Sequence, residues 1–332
     1  MSLKPKFKSL ARALCAMVCA ALTLAPAAGW SQAKPVTIII PYGPGGNYDQ
    51  TARLLANLVK PYTSEPWIVI NRPGATGTIG VAEAMRAKPD GKTLVLTGSS
   101  FLLQGLTSPN APFKGSSDLE QIAIILATHN VHFVRADAPW KSMTELVEYS
   151  KKNPNTINYG VTGPFGVGTV RYLMLKQATG INWTEVPFTG DAETMTAVLG
   201  GHVHTGAAAA PSVAPQVKAG KVRILAVPAD ERVPSMPDVP TFRELGYPVV
   251  LPSLSVVMGP RGIPADVLRE LRGVLEKATA TPEYRKFADD SGATLYARFG
   301  DQARAAVEEE EAKYRVIAPM LQAYIKANPA GR

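Results

Sequence analysis

Apolar residues along this chain recur in two periods that take turns. Residues 36–40 (Val-Thr-Ile-Ile-Ile) form a short β-branched run, the composition of a strand covered on both faces. Pro41 ends it, residues 42–47 read Tyr-Gly-Pro-Gly-Gly-Asn, and Ala52, Leu55, Ala56 and Val59 then recur at helical spacing. The unit is strand, glycine loop, helix. It returns at 67–70, where a second strand leads through the glycine-rich stretch 71–80 into a helix over 81–87. A third strand at 93–96 ends at Thr97-Gly98-Ser99-Ser100.

Further along, 122–126 and 131–134 are strand-like and bracket Thr128-His129-Asn130. Residues 142–151 predict a helix capped by Ser142, with Glu145 three residues on in a capping-box pattern. Residues 158–161 predict a strand, followed by the loop 162–169 and a helix over 170–179 with Arg171 in its first turn. Residues 185–191 lead into a helix over 192–199, 222–227 is a strand, and 228–240 is a proline-rich connection. A strand at 254–258 and two longer helices, 265–280 and 301–327, finish the chain. Within the last, Glu309/Lys313 and Glu311/Arg315 are i,i+4 pairs, so the acidic run 308–311 reads as a solvated helix face. Strand-loop-helix units of this kind build open α/β sheets, whose ligands bind at the carboxyl ends of the strands.

Composition changes the picture at the N-terminus. Lys4, Lys6, Lys8 and Arg12 precede an apolar stretch at 13–25, and Ser31-Gln32-Ala33 is a small-x-small cleavage site. Residues 1–33 therefore read as a secretory signal, too short for a convincing membrane span. Both cysteines, Cys15 and Cys19, lie inside it, and the large residues before them (Leu14, Val18) argue against a lipoprotein site. The expected mature chain starts near Lys34, has 299 residues and carries no thiol, which excludes cysteine catalysis and thiolate metal sites. Its formal charge falls from +8 to +4. That suits anionic small ligands, but no basic stretch interleaved with aromatics points to nucleic acid.

Candidate catalytic chemistry is sparse. The four histidines, His129, His132, His202 and His204, form no helical H-E-x-x-H and read as surface or cleft residues, so no metal site is expected. Gly98-Ser99-Ser100-Phe101 is not a G-x-S-x-G elbow. Gly91-Lys92-Thr93 precedes a strand and lacks the leading glycine of a P-loop, and 43–46 lacks dinucleotide-fingerprint spacing. Nothing calls for a cofactor. The glycine loops instead fit anion binding, because Gly45 and Gly46 can take positive φ and the first helical N–H groups lack intrahelical partners. Asp49 has two readings, a cap for one of those N–H groups or a direct ligand contact.

These pieces together resemble the Bug/TctC-type periplasmic solute-binding proteins of tripartite tricarboxylate transporters. The matching motifs are 41–49 (P-Y-G-P-G-G-x-x-D), 71–80 (N-R-P-G-A-x-G-x-I-G), 89–94 (P-D-G-x-T-L), 186–190 (V-P-F-x-G), 200–203 (G-G-x-V), 218–221 (K-A-G-K) and 237–246 (P-D-V-P-T-x-x-E-x-G). The match runs through essentially the whole mature chain. The resemblance implies an α/β, two-domain Venus flytrap with a mixed or parallel sheet in each lobe. Domain one would comprise 34–133 and 250–332, with 134–249 as domain two. It also implies a monomer, not an enzyme, that grips a ligand carboxylate between glycine loops of both lobes and hands it to membrane transporter subunits.

On that basis the expected ligand contacts are Tyr42, Gly45, Gly46, Asn47 and Asp49 in the first loop, Thr76 and Gly77 in the second, and Ser99 after the third strand. The second lobe would add Phe165, Gly166, Thr169, Arg171, Gly190, Asp191 and Ala208. Four places depart from the family pattern. Tyr172 stands for the usual histidine beside the added cation Arg171, His204 stands for an Asp, alanines 207–210 replace a stretch containing another Asp, and Asp191 stands where glycine or serine is commoner. If the alanines line the cleft and Arg171 reaches in, a bulky or aromatic dicarboxylate is favoured. Otherwise Arg171 faces solvent and the alanines merely pack. A sensor accessory, and less favourably a hydrolase using Ser99-Ser100, are the alternative functions.

Overall fold

The protein is described by a computed structural model covering residues 34–108 and 110–328. The expected leader, its cleavage site and both cysteines lie outside the described residues. The first segment runs β1 (Val36–Ile40), α1 (Asn47–Leu58), β2 (Trp67–Asn71), α2 (Thr78–Met85), β3 (Thr93–Gly98), α3 (Phe101–Thr107) and β4 (Glu120–Thr128). The middle runs β5 (Asn130–Arg135), α4 (Met143–Lys152), β6 (Asn158–Thr162), α5 (Val167–Thr179), β7 (Thr184–Phe188), α6 (Asp191–Leu199), β8 (Thr205–Ala209), α7 (Ala210–Lys218) and β9 (Val222–Ala226). The last segment is β10 (Ser253–Gly259), α8 (Ala265–Thr279), α9 (Pro282–Asp290), β11 (Thr294–Phe299) and α10 (Asp301–Ala327).

Two mixed sheets result, as expected for two α/β lobes. The first has the order β11-β4-β10-β3-β1-β2, with β1 parallel to β2 and β3 and with β10 antiparallel to β3 and β4. The second has the order β7-β6-β8-β5-β9, with β6 parallel to β7 and β8 and with β5 antiparallel to β8 and β9. The chain passes from the first sheet to the second at His129 and returns along 227–252. The division expected at 133/134 would cut β5, whose pairing places it whole in the second sheet.

The β-branched run of β1 behaves as its composition requires. Ile38 and Ile40 enter the core on one face of the sheet and Ile39 the core on the other, the two-residue alternation of a strand covered on both sides. In β8 the small residues have a packing reason. A Cβ on Gly206 would stand 3.0 Å from both Phe133 and Val198, because α6 lies close on the sheet there. Ala207 and Ala208 are likewise buried, on opposite faces.

Helix ends follow local chemistry. Ser142 Oγ accepts from the Glu145 N–H at 3.2 Å, while Glu145 Oε2 accepts from Lys141 N rather than from the cap residue itself. The acidic run on α10 differs from expectation. Glu309–Lys313 and Glu311–Arg315 do form ion pairs, but Glu310 and Glu311 are buried, and Glu311 accepts from Ser116 N at 2.7 Å. One side of that helix packs on the first lobe, so the run is only half a solvated face.

Candidate functional site

The first glycine loop is held from behind by Asp49. Its Oδ2 accepts from Gly45 N at 2.9 Å and Arg53 Nε at 3.0 Å, and its Oδ1 accepts from Asn71 Nδ2 at 3.0 Å. The Arg53 guanidinium also reaches Oδ1 at 2.9 Å. Burial pushes this carboxyl up, but the Arg53 bond, the Gly45 N–H and the Asn71 amide outweigh it and hold it below the usual range. With Asp49 only 3% exposed and both oxygens occupied, its observed role is to shape the loop; it caps no N–H at the start of α1. Gly45 takes φ +80°, where a side chain is strained, whereas Gly46 sits at φ −74°, ψ 171°, open to any residue. Of the two glycines that can take positive φ, only Gly45 does.

Tyr42 and Tyr48 stack beside this loop with ring centroids 5.1 Å apart. Tyr42 Oη lies 3.0 Å from Thr97 Oγ1, and Tyr48 Oη lies 3.2 Å from Ser253 Oγ. Gly98 has to lack a Cβ, because the Tyr48 hydroxyl occupies the place where one would stand. Gly77, at φ +91°, brings the second loop against Tyr42, where a Cβ would meet Cε1 at 3.3 Å. A layer of hydroxyl groups thus lines the strand ends of the first lobe. Tyr48, Thr97 and Ser253 escaped the sequence reading; Tyr48 alone carried a signal, an aromatic in the first turn behind a glycine loop.

The second lobe answers with its own strand ends. Gly163, after β6, faces Thr76 of the first lobe, with 3.7 Å between a Cβ built there and Thr76 Cγ2. Phe165, at φ +56°, packs edge-on against Tyr324 of α10, with centroids 6.3 Å apart. Gly166 and Gly190 precede α5 and α6, and neither of these helices, nor α1 or α2, has a side-chain N-cap. Asn47 opens α1, and its Oδ1 is buried without a partner. Asp191 opens α6. Its Oδ1 accepts from Thr162 Oγ1 at 2.6 Å, and its Oδ2 accepts from Ala209 N at 3.1 Å and Ser212 Oγ at 3.2 Å.

Four expected contacts are committed to the protein itself. Arg171 is 5% exposed, and its Nε and Nη2 both donate to the Leu251 carbonyl on the return crossing, the former at 3.1 Å. Ser99 is buried; its Oγ accepts from Leu254 N at 3.2 Å and meets Tyr314 Oη at 3.5 Å. Thr169 is buried and donates to Glu185 Oε1. Ala208 lies in the core beneath α6 and α7, so the alanines pack, but the reading that paired this with a solvent-facing Arg171 fails at the buried guanidinium.

Buried polar groups gather around Arg171. Arg171 Nη1, His129 Nδ1 on the outward crossing and Glu310 Oε1 on α10 are all buried without a partner. Burial, then the Arg171 charge, lowers the pKa of His129 to about 4, and burial lowers that of His132 to about 3. Both histidines are core residues, contrary to the sequence reading; His132 stacks on Tyr159 at 5.2 Å and bonds Thr205 Oγ1 at 2.8 Å. Asn130, His132, Tyr159 and Arg171 line a cavity of about 10 Å³, at the lower limit for one water. Among the described residues no three His, Cys, Asp or Glu gather as a metal-binding group, and no helix is long and apolar enough to cross a membrane.

Comparison with known proteins agrees with this geometry. Residues 51–322 match the tripartite tricarboxylate transporter family receptor (TctC) profile. A UPF0065 protein from the gbd 5' region of Cupriavidus necator is 34% identical over 286 residues, 83% of this chain and 86% of that protein. The structure of periplasmic binding protein BugD superposes with TM-score 0.74 at 29% identity, covering 88% of this chain and 97% of that one. MatC from Rhodopseudomonas palustris with bound malate gives TM-score 0.77 at 25% identity, covering 86% and 98%.

Proposed function

The chain belongs to the tripartite tricarboxylate transporter family receptors, and from that premise we propose that it is a periplasmic solute-binding protein. It captures a small organic carboxylate between its lobes and delivers it to the membrane subunits of a transporter of this type. The observation that supports the reading most is that four uncapped helix starts directly follow glycine loops, α1 and α2 in one lobe and α5 and α6 in the other. Each leaves backbone N–H groups for an outside acceptor, and the helix dipole favours a negative one. A Cβ built on Gly163 would lie 3.7 Å from Thr76 Cγ2, so loops of the two lobes come close beside these starts. The malate bound to MatC is in keeping with a carboxylate ligand.

The dicarboxylate preference expected from Arg171 finds no support in the geometry, because that guanidinium is occupied by Leu251. The hydrolase alternative is weakened in the same way, since Ser99 Oγ accepts from Leu254 N and its side-chain partner is the Tyr314 hydroxyl rather than a base. The test is a thermal-shift screen of small carboxylates against their primary amides. A carboxylate at one hundred times its Kd should stabilise the protein by about 2.7 kcal/mol. A screen in which no carboxylate shifts the melting temperature, at concentrations up to several millimolar, would overturn the proposal.

A further inference from the structure

We propose that Asp191 makes the second-lobe wall of the cleft an acceptor. The ligand is then a monocarboxylate carrying a hydrogen-bond donor at its far end, and dicarboxylates are disfavoured. This rests on the carboxylate reading and narrows it.

The geometry starts from the position of Asp191 at the first turn of α6, directly after β7. Its three hydrogen-bond donors, Thr162 Oγ1, Ala209 N and Ser212 Oγ, are all neutral. Among the described residues no Lys, Arg or His forms an ion pair with it. The half-buried carboxylate therefore stands without a cation partner where β6 and β8 end. Thr162, which it holds at 2.6 Å, is followed by Gly163, the residue that faces Thr76 of the other lobe. Beside it, a Cβ on Gly190 would meet nothing within 4 Å, so there is open space at this wall. Asp191 also lies within electrostatic reach of the first lobe. After burial and the neighbouring Tyr42, Asp191 helps raise the pKa of the Tyr48 hydroxyl on the first lobe.

Arg171 does not offset this wall, because its guanidinium is buried on the Leu251 carbonyl. A ligand whose carboxylate sits on the uncapped helix starts presents its other end to Asp191. A second carboxylate there meets a like charge in a partly desolvated site, which is repulsive. A hydroxyl or ammonium group forms a charge-assisted hydrogen bond instead.

Calorimetry with a matched six-carbon series tests this: hexanoate, 6-hydroxyhexanoate, 6-aminohexanoate and adipate, on the full mature protein and on the Asp191→Asn and Asp191→Ser variants. The expected result is that a donor-bearing acid binds at least tenfold tighter than adipate. Both variants should then narrow or invert that ratio by about tenfold. A loss confined to 6-aminohexanoate identifies the donor as ammonium, and an equal loss for the hydroxy acid identifies it as any donor; either supports the proposal. Adipate binding tightest to the wild type, or a ratio unmoved in two variants whose unliganded melting points stay near wild type, overturns it and leaves the carboxylate reading intact. If Asp191→Asn unfolds, the wild-type ranking alone decides. If none of the four acids nor a wider panel of carboxylates binds, the carboxylate reading falls, and this proposal with it.

Discussion

Replacing Asp49 separates a residue that shapes the first loop from one that touches ligand. Asp49→Ala removes the acceptors of Gly45 N, Asn71 Nδ2 and the Arg53 guanidinium. Hydrogen bonds to a charged group contribute about 1.5–3 kcal/mol each. The Arg53 side chain is 53% exposed, so solvent screens its pair and makes it the weak member of the three. Two strong bonds and one weak pair, partly replaced by water, give an expected loss of about 3–5 kcal/mol for Asp49→Ala. Asp49→Asn keeps one oxygen and should lose about half of that. Urea unfolding measures both, and calorimetry with a bound carboxylate should show affinity falling in step with loop stability. The reasoning is refuted if Asp49→Asn unfolds like wild type yet abolishes binding, since the carboxylate would then act on the ligand directly.

Three further outcomes are expected. Gly45→Ala should cost about 1–2 kcal/mol from its φ of +80° and weaken ligand binding, whereas Gly46→Ala, with its nearest contact at 3.8 Å, should stay within about 0.5 kcal/mol in the same unfolding assay. Arg171→Met should destabilise the protein by about 2 kcal/mol through the exposed need of the Leu251 carbonyl, and should change mono- and dicarboxylate affinities by the same factor; a loss confined to diacids would put the guanidinium on the ligand. Burial raises Glu185 from 4.5 to about 7, with Oε2 left unpartnered, so the folded state binds the proton more tightly than the unfolded chain. Stability should therefore fall as pH rises from 4.5 to 7, by on the order of 2–3 kcal/mol, and the difference between wild type and Glu185→Gln across that window should show it.

Much of the fold was legible because the hydrophobic periods are strong. β1, the capped start of α4 and the 27 residues of α10 stand where the pattern places them, Pro319 notwithstanding. Elements with weak or contrary composition were not legible. β8 is Thr-Gly-Ala-Ala-Ala, α7 carries Pro211 and Pro215, and α9 is a polar helix with a short apolar face. For the site, the sequence indicates which loops meet but not where long side chains end. Arg171 reads as a cleft cation from its place in a first turn, yet the segment that takes it, at Leu251, is 80 residues away. Glu310 and Glu311 read as solvated from their charge, yet tertiary packing buries them. The hydroxyl layer of Tyr48, Thr97 and Ser253 joins three separate strands and helices, so no local pattern could have shown it.

Backbone hydrogen–deuterium exchange with and without a saturating carboxylate tests the central claim most directly, because it reads the amides that are said to hold the ligand. Two-lobe capture predicts slowed exchange at 44–49 and 76–79 in the first lobe together with 165–169 and 189–192 in the second, and no change along α8. Protection confined to one lobe, or absent from all four helix starts while the ligand is bound, would contradict it.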